Sequence, residues 1–397
     1  MIVGVPDETA EDETRVALVP PVAERLTKQG HEVCVAAGAG EGSDWADGDY
    51  LDAGCDVLHD RAEVFERADV VLQVRGLGAN PDGPADPYRE GQVVVGMLGP
   101  YDVDDELEAL ADRNVSAFAL ELVPRISRAQ SMDVLSSMAN IGGYKSVLVA
   151  AEALPRLFPL MMTAAGTVHP ADVFVVGAGV AGLQAIATAN RLGASVRAYD
   201  IRPEVKEQVE SLGAEFVEMD LSTDDAADDQ GRAREQDEEF YEQQRKMMTR
   251  VVADSDVVIT TAAIPGRPSP ELVTSEMISG MESGAVIVDL AAEGGGNCEP
   301  TVADEVVEHE GVTIFGPTNL PATVPHTASE LFSNNANNFL SHLLTDDGLV
   351  IDTDDEIVDS TLLTHNGTIR RPHEESGDDE TADEDDAADE EAEADDD

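Results

Sequence analysis

Short apolar runs alternate with amphipathic stretches from Met1 to about Phe118. IVGVP, HEVCVAA, DVVLQV, QVVVGML and SAFAL are separated by helical patterns such as Pro21 to Gln29 and Asp104 to Asn114. Valine-rich runs bounded by turn formers predict buried strands, and their alternation with helices predicts βαβ units on a parallel sheet. A second series follows: DVFVVGAG, a helix from Val180 to Leu192, SVRAYD, a helix from Pro203 to Leu212, EFVEM, VVIT, AVIVDLA and TIF. It predicts a second doubly wound sheet. Between the two series a helical pattern runs from Ser131 to about Leu157, interrupted by Gly142-Gly143, and is expected to join the domains.

After Pro317 a helix from His326 to Leu344 carries Leu331, Phe332, Phe339, Leu340, Leu343 and Leu344, which predicts packing back on the first domain. Thr353 to Arg371 reads as a closing hairpin. The expected architecture is therefore α/β, with two Rossmann-like doubly wound domains, the second inserted in the first. Residues 1–135 with 321–373 form one domain and residues 136–320 the other. Ser222 to Lys246 is almost devoid of aliphatic residues, a pattern of a mobile loop or of disorder. Residues 374–397 read as a disordered acidic tail.

Composition agrees and adds limits. A chain of 397 residues exceeds what one α/β core ordinarily holds, roughly 100 to 200 residues. Its longest apolar runs fall far short of the ~20 residues of a membrane helix, and it opens directly on a strand-like MIVGVP. The expectation is a chain neither exported nor inserted in a membrane, with the cytoplasm as its compartment. Cys34, Cys55 and Cys298 lie far apart with no CxxC or Cys/His ligand spacing, which argues against disulfides and against zinc.

The net charge of −58 repels nucleic acid phosphates and anionic lipid. Residues 374–397 hold 16 of the 82 acids and no base, so the rest of the chain still carries −42. Only four lysines (Lys28, Lys145, Lys206, Lys246) stand against 20 arginines. Such a surface suits high salt, where screening blunts self-repulsion, and it predicts a halophilic source.

One motif carries clear chemistry. Gly177-Ala-Gly179-Val180-Ala-Gly182 follows the strand Val173 to Val176 and opens a helix, and Asp200 ends the next strand 23 residues after the first glycine. Glycines permit a tight turn and close backbone approach to a pyrophosphate at a helix N-terminus, while the acid is placed for ribose hydroxyls. Asp200 favours NAD over NADP by charge repulsion of a 2′-phosphate. Arg202, two residues on, complicates this: it answers such a phosphate, flanks the adenosine, or pairs with Glu204. A second segment, Arg125-Ile-Ser-Arg-Ala-Gln130-Ser-Met-Asp133-Val-Leu-Ser136, gathers a guanidinium, an amide, a carboxylate and hydroxyls, and suits a site or an ordinary capped helix start equally.

VPRISRAQSMDVLSS with Gly143-Tyr144-Lys145, then VVGAGVAGLQAIATANRLGA, TTAAIPGRP, VDLAAEGGGNCE and HTASELFSNN, resembles the alanine dehydrogenase and transhydrogenase family over about residues 1 to 372. Within it the likeness is to the NAD(H)-binding domain of proton-translocating transhydrogenases. The resemblance implies that Arg125, Gln130, Asp133 and Ser136 serve the nicotinamide end of NAD(H), with Tyr144 nearby. It implies that Ile201 and Arg202 flank the adenosine and that Thr261 and Ala262 lie beside the adenosine or ribose. The family's mobile loop usually contains Gly-Tyr-Ala-Lys, where this chain has Gly231-Arg232-Ala233-Arg234.

Alanine dehydrogenases carry a lysine in a KVKEP-like strand end and a histidine in a YHLA-like one, which hold the oxo acid and shuttle a proton. This chain reads Val74-Arg75-Gly76-Leu77 and Gly96-Met97-Leu98-Gly99-Pro100 there, keeping only Arg15. Passing a hydride between two nicotinamides needs no acid or base. The resemblance thus implies an NAD(H)-binding subunit that forms a homodimer and docks an NADP(H)-binding beta subunit, with a third, membrane-spanning subunit coupling the reaction to proton flow. Two other readings stay open: a divergent amino acid dehydrogenase, and a nucleotide-sensing module without catalysis.

Overall fold

The computed structural model describes residues 1–370 apart from 82, 84–85, 102, 219–237, 264–265 and 346–347. The tail 374–397 and the Gly231 to Arg234 stretch lie outside the described residues.

Six parallel strands, β1 (Ile2–Val5), β2 (Glu32–Ala36), β3 (Asp56–Leu58), β4 (Val70–Arg75), β5 (Val93–Met97) and β6 (Ser116–Ala119), open the chain. Their order is β3-β2-β1-β4-β5-β6. β4 is buried from Val70 to Val74, as a strand covered on both faces must be. A small hairpin, β7 (Met161–Thr163) and β8 (Gly166–Val168), precedes the second sheet. That sheet holds β9 (Asp172–Val176), β10 (Ser195–Tyr199), β11 (Glu215–Phe216), β12 (Val257–Thr260), β13 (Val286–Asp289), β14 (Val306–His309) and β15 (Val312–Phe315). It runs β11-β10-β9-β12-β13-β15-β14, with only β14 antiparallel. After a short hairpin, β16 (Leu344–Thr345) with β17 (Gly348–Leu349), the chain returns to the first sheet. There β18 (Leu362–His365) pairs antiparallel with β6, and β19 (Thr368–Ile369) with β18.

Both sheets are Rossmann-like, and separate apolar cores cover their two faces. One helix serves both units. Val134, Met138 and Ile141 of the connector helix Val134–Ala153 join the first core, and Val147 and Ala150 join the second.

The connector corrects the sequence expectation twice. It runs unbroken through Gly142-Gly143, because a Cβ at Gly143 would overlap the carbonyl of Ala181 on the helix Val180–Arg191. Close helix–helix approach there offsets the usual entropic cost of glycine. It also stops at Ala153 rather than Leu157, since Pro155 drives Leu154 into extended backbone. The closing segment differs as well: the Asp355 carboxylate accepts from the N–H of Ile357 and Val358 and caps a helix, Glu356–Thr361, so the hairpin starts only at Leu362.

Candidate functional site

At the carboxyl end of β9 the chain reverses through Gly177, whose φ of +96° suits glycine. Its N–H donates to the Tyr199 carbonyl at 2.8 Å. A side chain at Gly182 would overlap the Gly177 carbonyl, so only glycine lets the helix Val180–Arg191 start this close to the strand. Gly179 is different, because a Cβ there would meet nothing within 4 Å. The structure itself does not demand glycine at that point. Open space above the first N–H groups of a 12-residue helix fits a pyrophosphate. Val180, at the mouth of the turn, is exposed.

Asp200, 8% exposed, faces this turn. Its Oδ2 accepts from Ala178 N at 2.7 Å, and its Oδ1 from Arg202 N at 2.9 Å. Arg202 also donates from Nε to Oδ1 and from Nη2 to Oδ2, both at 2.9 Å. Ile201 is half-buried between them. Arg202 therefore grips Asp200 itself, whereas pairing with Glu204 was one sequence expectation. After β12, Thr261 Oγ1 donates to the Gly177 carbonyl at 3.1 Å and closes the back of the turn. The Ala262 N–H donates to Asn297 Oδ1 at 2.9 Å, and Asn297 Nδ2 returns a bond to the Ala262 carbonyl at 2.8 Å.

Sequence reasoning missed the group that sets this loop. Asp289, fully buried at the end of β13, accepts from Thr260 Oγ1, Ala291 N, Asn297 N, Cys298 N and Thr301 Oγ1. It ties the β12 loop to the Gly294-Gly295-Gly296-Asn297 loop. The signal was visible in VDLAAEGGGNCE, where a buried strand ends on an acid before a glycine run.

The second segment is an anchored loop with outward-facing polar groups. Ala129 and Met132 are buried beneath it. Asn335 and Asn338, on the closing helix Pro325–Leu343, both donate to the Ser131 carbonyl. Arg128 donates to Asp355 Oδ2 at 2.6 Å. Burial pushes the Asp355 carboxyl up, but Arg128 and His342 override this and hold it well below the usual carboxylate range. Arg125 and Gln130 are left exposed. Asp133 caps the connector helix: its Oδ1 accepts from Ser136 N at 2.8 Å and its Oδ2 from Ser136 Oγ at 2.6 Å. Ser136 is thereby pre-positioned. The capped helix start foreseen in the sequence is present, with Asp133 and Ser136 forming it and Arg125 and Gln130 in the loop before it.

The connector brings loop and turn together. Gly143 rests on Ala181, Tyr144 beside it is 42% exposed, and Ser136 lies seven residues, about 10 Å, back along the axis. No hydrogen bond among the described residues links Arg125 or Gln130 to the glycine turn. The carboxyl ends of the two sheets face each other: Arg75, ending β4, pairs with Glu293 beyond β13 at 3.7 Å, and Tyr101 packs against Gly266.

In the first domain the crevice between β1 and β4 is filled from within. Glu8 Oε1 and Oε2 accept from Val74 N at 2.6 Å and Arg75 N at 3.0 Å. Burial pushes this carboxyl up to about 8. Burial also raises Glu121, which accepts from Gly99 N, to about 7. Arg15 is buried, giving Nε and Nη2 to Glu13 and Nη1 to Met138 Sδ. Ser329 and Ser333 of the HTASELFSNN segment accept from Val16 and Val19 N–H, which fixes the strand of chain after Arg15.

No helix among the described residues is long and apolar enough to cross a membrane. The family described as "Alanine dehydrogenase/PNT, N-terminal domain" matches residues 4–142, and "Alanine dehydrogenase/PNT, C-terminal domain" matches residues 146–372. A relative from Rhodospirillum rubrum, named as the first part of an NAD(P) transhydrogenase subunit alpha, is 44% identical over 379 residues, covering 94% of this chain and 98% of its own. The "Alanine dehydrogenase" of Mycobacterium tuberculosis is 33% identical over 341 residues, covering 84% of this chain and 85% of its own. A solved structure, "The crystal structure of transhydrogenase from Sinorhizobium meliloti", superposes with a TM-score of 0.82 at 44% identity, over 93% of this chain and 100% of that one. The two family matches span both Rossmann-like units and the connector between them, and the chain belongs to the alanine dehydrogenase and transhydrogenase (PNT) family.

Proposed function

We propose that this chain is the NAD(H)-binding subunit of a proton-translocating NAD(P) transhydrogenase, active only with its partner subunits. NADH, when bound, supplies a hydride from its nicotinamide ring, and NADP held on a partner beta subunit receives it. The observation that carries the reading is the pair of groups ending β4 and β5 at the cleft. These are Arg75 and Met97, at the places where alanine dehydrogenases carry the lysine and histidine that hold the oxo acid and shuttle a proton. Reduction of an oxo acid or imine needs a proton donor. Direct transfer needs close approach, ring orientation and exclusion of water instead.

In this reading Gly177, Gly179, Val180 and Gly182 form the pyrophosphate cradle. Asp200, Ile201, Arg202, Thr261 and Ala262 surround the adenosine end. Arg125, Gln130, Asp133, Ser136 and Tyr144 orient the nicotinamide end, with Asp133 acting through Ser136. The near full-length similarity to a protein whose name makes it one portion of a subunit alpha supports further subunits. We place the chain as a homodimer on the cytoplasmic face of the cell membrane, held there by a membrane-spanning partner.

Gln130→Asn tests the division of labour, since it keeps the amide and shortens its reach by one methylene. On the complex reconstituted with its membrane partners, single-turnover hydride transfer is expected to fall ~100-fold, while the NADH Kd changes far less. An unaltered transfer rate removes Gln130 from the site. A parallel collapse of both quantities gives it a general role in binding or folding.

A further inference from the structure

The Asp200 carboxylate has no vacant lone pair. An ionised carboxylate offers about four acceptor positions. Here Oδ1 takes Arg202 N and Nε, and Oδ2 takes Ala178 N and Arg202 Nη2. Two of these bonds belong to the backbone and are built into the local chain. Ala178 lies inside the glycine turn, and the Arg202 N–H closes the two-residue turn that aspartate side chains favour. Pro203 holds Arg202 in extended backbone, at φ −86° and ψ 114°, which keeps that N–H on Oδ1. The other two bonds come from the guanidinium. Their planar two-pronged match to the carboxylate is the strong form of such a pair, and the side chains are only 19% and 6% exposed.

Ribose hydroxyls reach the acid of a Rossmann site as donors. They need the two positions the guanidinium now fills. Resting on the NAD(H) reading above, we propose that Arg202 is a specificity-determining residue that competes with the adenosine ribose for Asp200 and leaves it when NAD(H) binds. The same guanidinium neutralises the carboxylate that repels a 2′-phosphate and, once displaced, remains within two residues of it as a partner for that phosphate. Arg202 therefore works in two directions. It holds NAD(H) affinity below what Asp200 alone would give, and it narrows the margin by which NADP(H) is refused. An acid at the end of β10 read without its neighbour overstates that margin.

The test is a titration of the full chain with NADH and with NADPH, alongside thermal melting, for wild type, Arg202→Ala and Arg202→Gln. In Arg202→Ala we expect NADH to bind as tightly as in wild type or up to ~10-fold tighter. NADPH binding is expected to weaken at least ~10-fold, so the ratio of the two constants widens by an order of magnitude or more. Arg202→Gln keeps one donor for the carboxylate. It guards against loss of the fold on removing one member of a buried pair, and it should move the ratio the same way by a smaller factor. A ratio unchanged or narrowed in the folded variants overturns the inference. So does weakened NADH binding in Arg202→Gln at an unaltered melting temperature, which would make Arg202 a direct contact of the nucleotide. Failure of the wild-type chain to bind NADH at all would overturn the functional reading beneath it, and the two failures are thus distinct.

Discussion

The two domains set the same topology to opposite uses. Each sheet places its first five strands in the order 3-2-1-4-5, so each has a crevice where the order reverses, between β1 and β4 in the first and between β9 and β12 in the second. Ligands of open α/β sheets gather at such points. In the second domain the turn after β9 is glycine-rich, and the crevice stays open above Gly179. In the first, Val5-Pro6-Asp7-Glu8 takes that place, and the Glu8 carboxyl group occupies the N–H groups at the end of β4. Topology makes a crevice lined by backbone N–H groups; local side chains decide whether it stays open to a ligand or is filled by the protein's own carboxyl group.

The sharpest way to break this contrast is Gly182→Ala. The added methyl collides with the Gly177 carbonyl, so the helix must move off the strand. NADH affinity should drop more than ~100-fold, with a lower melting temperature, because both fold and cradle depend on that approach. A variant that binds and melts normally would mean that the close packing is not needed. Asn297→Ala comes next. It strips the half-buried Ala262 N–H and carbonyl of their partners, where a fully buried unsatisfied group would cost ~1–3 kcal/mol. A melting temperature several degrees lower and NADH binding weakened ~10-fold are expected from calorimetry. Binding lost without any change in stability would instead make Asn297 a direct ligand.

Gly179→Ala sharpens the comparison. The methyl meets nothing in the protein, so melting should hold while NADH binding weakens about 10-fold, as backbone access to the pyrophosphate is obstructed. Unaltered NADH affinity would show that the open space is not a nucleotide cradle.

The smallest effect concerns the plug in the first domain. Burial raises Glu8 from 4.5 to about 8 and Glu121 from 4.5 to about 7, so between those values the folded chain holds protons that the unfolded chain has released. Stability then falls as pH rises through that window, and the contribution is complete only below about 4.5. Glu8→Gln cannot titrate, and at constant high salt it should flatten the decline of melting temperature between about pH 5 and 8. An equally steep decline in the variant would assign the slope to general charge repulsion.

Much of this was legible in the residues because it rests on short-range rules. Valine runs separated by helical patterns specify parallel strands, three glycines after a strand specify a turn, and an acid closing the next strand specifies its partner. RISRAQSMD announced a polar loop and a helix start, and Asp133 with Ser136 formed that start. Part of what stayed hidden depended on contacts between distant segments. Gly142-Gly143 looked like a break until the Ala181 backbone lay against it, and Pro155 and the Asp355 cap reset two boundaries through local rules that the hydrophobic pattern had masked.

The sequence by itself determined most of the elements, the two-sheet class and the glycine turn, since period, glycine placement and the residue at each strand end act within a few positions. Only the tertiary structure decided that Arg202 grips Asp200, that Asp289 and Asn297 set the Ala262 loop, and that Glu8 seals the first crevice. Each of these is a choice among several hydrogen-bonding partners. Burial removes water from that choice and leaves geometry to make it.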